Sequence, residues 1–195
     1  MTGIRLLIKD YRHAFQHVIF FLGINLLYSH KIKYLKLGGE SMKNLKALII
    51  SILIPVGVGI LAALLTRNSM DVYEKLVQPP LAPPSWVFPI VWTMLFILMG
   101  ISAYLVYISD SFYRKSALKI YAAQLVVNFF WTIIFFSLEM YLFAFVWLLL
   151  LLVLIFFMII SFSSINKTAA YLQIPYLLWV FFAGYLNFGI HLLNK

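Results

Sequence analysis

The chain is 195 residues long, 64% hydrophobic and 11% charged, with a formal net charge of +9 and no cysteine. A soluble domain is nearer 45–50% apolar and about 25% charged, so a water-soluble globule is excluded and an integral membrane protein is expected. Disulfides, thiolate catalysis and cysteine-ligated metals are excluded as well, and the basic residues gather at segment ends rather than in a stripe suited to nucleic acid.

Residues 1–41 stand apart from the rest of the chain. Arg5, Lys9 and Arg12 precede a short apolar run, Val18–Tyr28, and Lys31, Lys33 and Lys36 come after it. The run is too short to span a bilayer, and Ser29-His30-Lys31 lacks the small residues of a signal-peptide cleavage site. His13 and His17, spaced i, i+4, would share a helical face as metal ligands, yet no third ligand is near. An amphipathic helix lying in the membrane interface is the plainer account. A rival reading makes residues 1–41 a translated leader. Gly38-Gly39-Glu40-Ser41 has the coding character of a purine-rich ribosome-binding site, and Met42-Lys43-Asn44-Leu45 reads like the start of a bacterial membrane protein, with a short basic end and an apolar helix. The division expected is 1–41 as an N-terminal leader and 42–195 as the membrane domain.

Five spans are predicted. The first, Leu45–Leu65, is flanked by Lys43 and Lys46 and ended by Thr66-Arg67-Asn68; Pro55, Gly57 and Gly59 inside it allow close packing. The loop Arg67–Ser85 comes next, in which Asp71–Leu76 is expected to form one helical turn. Its Pro79, Pro80, Pro83 and Pro84 fix φ and bias their predecessors away from helix, so Gln78–Pro84 is a stiff extended or turned segment. Trp86 then falls at the headgroup level, and Trp86–Ser109 is the second span, free of charge throughout. The third is Ala117–Leu138, Glu139-Met140 turns tightly into the fourth, Tyr141–Phe162, and the fifth is Ala169–Leu193. The fold class expected is an all-α bundle of five transmembrane helices, with no internal repeat of the transporter kind.

Charge sets the orientation. Lys43, Lys46, Arg114, Lys115, Lys119 and Lys167 lie on one side and outnumber Arg67, Lys75 and Lys195 on the other. The N-terminus is therefore expected in the cytoplasm and the proline loop outside.

No Asp, Glu, Arg or Lys occupies the middle of a span, which argues against ion pumps, proton-coupled carriers and voltage sensors. His191 is the only histidine outside residues 1–41, so paired acid–base catalysis is not expected. What remains is polar and aromatic. Gln124, Asn128, Trp131/Thr132 and Phe135 fall on one face of the third helix; Pro89, Trp92/Thr93, Phe96 and Gly100 do so on the second, and Tyr176, Trp179, Ala183 and Leu186/Asn187 on the fifth. Amides in hydrocarbon must find partners, so Gln124, Asn128 and Asn187 are expected inside the bundle. On residue type alone these stripes suit interhelical packing as well as a binding site. Trp147 is expected to face lipid.

Three ordered motifs carry a resemblance. Tyr73, Gln78-Pro79, Pro83-Pro84, Ser85-Trp86-Val87-Phe88-Pro89, Val91-Trp92-Thr93 and Met99-Gly100 form the first. Gln124 with Asn128-Phe129-Phe130-Trp131-Thr132 and Phe135-Phe136 form the second, and Ile174-Pro175-Tyr176-Leu177-Leu178-Trp179 with Tyr185-Leu186-Asn187 the third. From about Leu45 to the C-terminus the chain resembles the tryptophan-rich sensory protein family, also called the translocator protein or peripheral-type benzodiazepine receptor family. It departs from the family pattern at Leu81, where a tryptophan is usual, at Val72-Tyr73 in place of Trp-Tyr, and at Gln78 in place of lysine. After Phe188 the residues Gly189, Ile190, His191 and Leu192 lack the basic residue of the family's sterol motif, itself a weak pattern.

The resemblance implies a membrane receptor or transporter with a sensory role. It implies an apolar pocket under the first loop that takes tetrapyrroles of the protoporphyrin IX type or similar apolar small molecules. No cofactor is required, the porphyrin being the ligand, and no histidine matches a haem-ligand motif, so a metal-free porphyrin fits better than ligated haem. The pocket residues so implied are Tyr73, Pro83, Pro84, Trp92, Phe96, Asn128, Trp131, Trp179 and Ala183. The assembly implied is a homodimer in a bilayer, expected to be a bacterial cell membrane. Two alternatives stay open. One is an enzyme degrading the porphyrin with light and oxygen, with Trp92 and Trp179 as oxidisable partners; the other is an assembly or regulatory protein without ligand turnover.

Overall fold

The computed structural model describes residues 44–67, 73 and 75–195. Residues up to Lys46 fall in a separate unit, which apart from 44–46 lies outside the described residues. The leader, the His13/His17 pair and most of the turn expected over Asp71–Leu76 lie outside them too. The unit Ala47–Lys195 is a helical bundle. Among the described residues there is no strand.

Five helical stretches are long and apolar enough to cross a membrane. They comprise α1 (Asn44–Thr66), α2 (Val87–Tyr107), α3 (Arg114–Thr132, prolonged by a π turn over Ile133–Ser137), α4 (Tyr141–Ser163), and a fifth stretch built of two helices. Those two are α5 (Lys167–Tyr171) and α6 (Ile174–Leu193). The fifth span is thus interrupted, where the sequence suggests a continuous helix. Pro175 is the cause: it has no N–H to give to the carbonyl of Tyr171, and its ring collides with that carbonyl in a regular helix. Asn166 starts α5 by accepting a hydrogen bond from the Ala169 amide at 3.0 Å, a standard N-cap.

Helix α4 packs against α6, α3 and α5, and α2 packs against α3 and α5. The interior seam of Leu148, Leu151, Ile155, Met158 and Phe162 on α4 is fully buried, as are Met99 and Val106 on α2 and Val180 and Ile190 on α6. Ser102 of α2 donates to the Ala169 carbonyl at 2.6 Å, so the hydroxyl is satisfied away from lipid. Trp147 does not face lipid as expected. Its indole N–H donates to the Val127 carbonyl at 2.8 Å and the half-buried ring packs against the core. A ring with one polar handle spends it on the neighbouring helix when no water is near.

Outward faces of α1 and α4 are almost wholly apolar, with Leu53, Ile54, Leu61, Leu64, Val146, Val153, Phe156 and Phe157 exposed. So large an apolar surface is stable only in hydrocarbon. At the α2–α3 turn, Arg114 donates to the carbonyls of Tyr107 and Ser109, each at 2.9 Å, and lies 5.7 Å over the Tyr107 ring. It thereby satisfies carbonyls that the end of α2 leaves free.

The proline loop is docked on α6. Its turn closes with the Ala82 amide donating to the Pro79 carbonyl at 3.2 Å. Leu81 takes φ 67° and is 82% exposed, a left-handed position that favours glycine or asparagine. Tyr185 donates to the Pro80 carbonyl at 2.7 Å, and Asn194 accepts from the Val77 amide at 2.8 Å while donating to the Val77 carbonyl at 3.0 Å. Gly189 lets Pro79 rest on the helix: a Cβ there would lie 2.7 Å from the proline's own Cβ.

Helices α1 and α2 meet at Gly100. A Cβ added there would sit 2.5 Å from the Ile52 Cα and 2.7 Å from the Ser51 carbonyl oxygen, the carbonyl that Pro55 cannot bond. Backbone cannot step aside as a side chain can. Gly100→Ala is therefore expected to destabilise the bundle by about 1–3 kcal/mol. Gly57→Ala, which meets nothing within 4 Å, should be neutral or stabilise by up to about 1 kcal/mol. Unfolding of the detergent-solubilised protein by SDS, followed by far-UV circular dichroism, reads both signs.

Candidate functional site

A cavity of about 400 Å³ lies between α1, α2 and α3. Its walls follow from helical spacing. Val56, Gly59, Ile60, Ala63 and Thr66 recur every three or four residues along α1, Pro89, Trp92, Thr93 and Phe96 along α2, and Asn128, Trp131 and Thr132 along α3. The volume is at the lower end of the range for small-molecule pockets, and the lining is apolar with a few polar atoms.

Aromatic rings make its inner wall. Trp92 sits 5.6 Å from Phe96, 6.1 Å from Trp131 and 6.2 Å from Tyr176 between ring centroids. Gly59 has no side chain because the Phe96 ring occupies that space. Behind the wall runs a buried hydrogen-bond chain. The Tyr176 hydroxyl donates to Gln124 Oε1 at 2.8 Å and accepts from Asn128 Nδ2 at 3.0 Å. Trp131 is anchored separately. With the Asn187 amide oriented by its hydrogen bonds, Oδ1 accepts from the Trp131 indole at 3.2 Å and Nδ2 donates to the Tyr141 carbonyl at 2.7 Å. Gln124, Asn128 and Asn187 are all buried, inside the bundle as their amides required.

The residues read from sequence divide among three places. Trp92, Phe96, Asn128 and Trp131 line the large cavity. Tyr73 and Ala183 line a second pocket of about 20 Å³, shared with Phe88, Phe135, Leu186 and Asn187, a volume for about one water molecule. Trp179 lies beyond Phe88, 5.9 Å from that ring, and Phe88 in turn lies 5.3 Å from Tyr73; Phe88 borders both pockets. Burial of Tyr73 holds its phenol above the ordinary value. Pro83 and Pro84 line neither pocket. The contribution of α1, together with Phe136 and Arg67, was not singled out from sequence. Its signal was the spacing of Val56, Gly59, Ala63 and Thr66 on one face, hidden because the outer face of α1 is equally apolar.

Among the described residues Arg67 is the one ionisable residue in the cavity lining. Among the described residues no three His, Asp or Glu side chains are grouped to hold a metal. The arrangement can bind and orient an apolar molecule; the described residues of its lining include no carboxylate or imidazole to move a proton.

The profile of the TspO/MBR family matches residues 51–193, which takes in every wall of the cavity. The chain belongs to the TspO/MBR family. It is 36% identical over 126 residues to the tryptophan-rich protein TspO of Chlorobaculum tepidum, covering 63% of this chain and 78% of that one. It is 35% identical over 153 residues to the tryptophan-rich protein TspO of Archaeoglobus fulgidus, covering 77% and 99%. The translocator protein of Bos taurus is 34% identical over 140 residues, covering 70% and 83%. As a TspO/MBR protein with five helices long and apolar enough to cross a membrane, the chain is an integral membrane protein.

The Tyr176 hydroxyl holds two amides that have no water to turn to. Tyr176→Phe keeps the ring and removes both bonds, so it should destabilise the bundle by about 1–2 kcal/mol, measured by the same SDS titration.

Proposed function

We propose that the protein binds a flat apolar ligand of the tetrapyrrole class, such as protoporphyrin IX, in the cavity between α1, α2 and α3. On this reading it serves as a receptor or transporter with a sensory role. The observation that carries it is the wall of Trp92, Phe96 and Trp131 around about 400 Å³. Rings fixed by packing and hydrogen bonds offer flat, rigid faces that lose little entropy on stacking, and each such contact adds about 0.5–1.5 kcal/mol beyond area burial. The family's translocator members support the reading by name alone. A homodimer is its proposed assembly.

Trp92→Ala and Trp131→Ala should each weaken protoporphyrin IX binding at least several-fold, read by quenching of the remaining tryptophans. Phe157→Ala, on the outer face of α4 and 54% exposed, should leave it unchanged. Equal affinity in all three variants would remove the cavity from the site. Light-dependent loss of the porphyrin bands, in place of quenching with an unchanged spectrum, would favour porphyrin degradation over reversible binding.

The orientation proposed has the N-terminus in the cytoplasm and the proline loop outside, and the membrane is a bacterial one. Basic residues support it, being more numerous at the ends of α1, α3 and α5 on the proposed inner side. The cysteine-free chain allows a direct reading. Leu81→Cys should react with an impermeant thiol reagent in intact cells, and Phe112→Cys, 94% exposed on the α2–α3 turn, only after lysis. The reverse pattern would invert the topology.

A further inference from the structure

The cavity is not uniform along its length. Along the helices its lining runs from Val56, Gly59 and Phe96 at one end, past Trp92, Thr93 and Asn128, to Thr66 and Arg67 at the other. From Val56 to Arg67 the axis of α1 rises about 16 Å at 1.5 Å per residue. Polarity increases along that path. The hydroxyls of Thr66 and Thr93 are already turned to their own helices, donating to the Ala62 and Pro89 carbonyls at 3.0 and 2.7 Å. Neither is therefore poised as a donor to a ligand. Arg67 differs. Among the described residues it carries the one formal charge of the lining, and its guanidinium has no hydrogen-bond or ion-pair partner there. It also stands where α1 leaves the apolar span, at the depth of the headgroups.

We propose that Arg67 is a specificity-determining residue of the cavity: its guanidinium holds a carboxylate at this end while the ligand's flat apolar body lies against Trp92, Phe96 and Trp131. The preferred ligand is then an amphiphilic acid, and a neutral molecule of the same shape is the poorer one. A guanidinium presents a planar fork of donors that matches a carboxylate in two parallel bonds. The inference rests on the reading of this cavity as the ligand site.

Two probes separate the charge from the shape: protoporphyrin IX, with its free propionates, and its dimethyl ester. Both are titrated by tryptophan quenching into the full chain in nanodiscs of zwitterionic phosphatidylcholine, so that no anionic headgroup competes for the guanidinium. The acid should bind the wild-type protein roughly three- to tenfold more tightly relative to the ester than it binds Arg67→Gln, the size expected of a partly screened charge pair. Comparing the acid-to-ester ratio between proteins cancels the different bilayer partition of the two probes. Arg67→Lys should keep part of the preference, having the charge without the fork. An acid-to-ester ratio the same in wild type and Arg67→Gln, whether affinities fall together or not at all, overturns the role of Arg67 and leaves the cavity reading standing. Failure of both probes to bind the wild-type protein overturns the cavity reading itself, and this one with it.

Discussion

An amide inside hydrocarbon has no water to fall back on, and that constraint fixes the bundle. Unpaired, each such group costs several kcal/mol. The chain meets this in part with one phenol shared by two amides: Tyr176 on α6 serves both Gln124 and Asn128 on α3. Because the two amides sit one turn apart, the bonds set the rotation of α3 as well as its distance from α6. That rotation turns Trp131 and Thr132 toward α1 and α2, where they become cavity wall. Asn187 repeats the device one level away, tying the Trp131 indole to the backbone at the start of α4. These bonds brace the aromatic wall from behind, although Gln124 Nε2 is buried there without a hydrogen-bond partner among the described residues.

Small residues govern the other side. Helix α1 approaches α2 where Gly100 meets the backbone of Ser51 and Ile52, and where Gly59 receives the Phe96 ring. Apolar side chains do little to draw helices together in a bilayer, since lipid is as apolar as they are; close fit does. Away from these two contacts α1 leaves the space that is the cavity. The proline loop, by contrast, is attached to α6 through Tyr185, Asn194 and the seat at Gly189, with Tyr73 against Phe88 beneath it.

The sequence made the spans legible because length and charge-free composition suffice for that, and the observed ends fall within a few residues of those read from it. It also placed Gln124, Asn128 and Asn187 inward, since polarity inside an apolar helix has a single sensible direction. Facing was harder for apolar side chains. In a soluble protein the outside is polar and the stripe stands out; here lipid-facing Leu53 and core-facing Leu148 are the same residue in the same sort of helix. Trp147 was therefore turned the wrong way, and the face of α1 that lines the cavity went unread. Trp179 shows a second limit. It lies one turn from Tyr176, yet Phe88 stands between it and the large cavity, a relation between two helices that no single-helix periodicity contains. The π turn at Ile133–Ser137 was also invisible, since no proline or glycine marks it.

Asn194 and Val77 exchange a donor and an acceptor in each direction, the pattern of one rung in a β-ladder, made here by a side chain. The partners are 117 residues apart. Membrane proteins are synthesised from the N-terminus onward, and the early elements of a chain are available to fold first. The proline loop emerges long before the residue that fastens it. Its final shape is therefore among the last things the chain acquires, set only once α6 has been made and lies beside it.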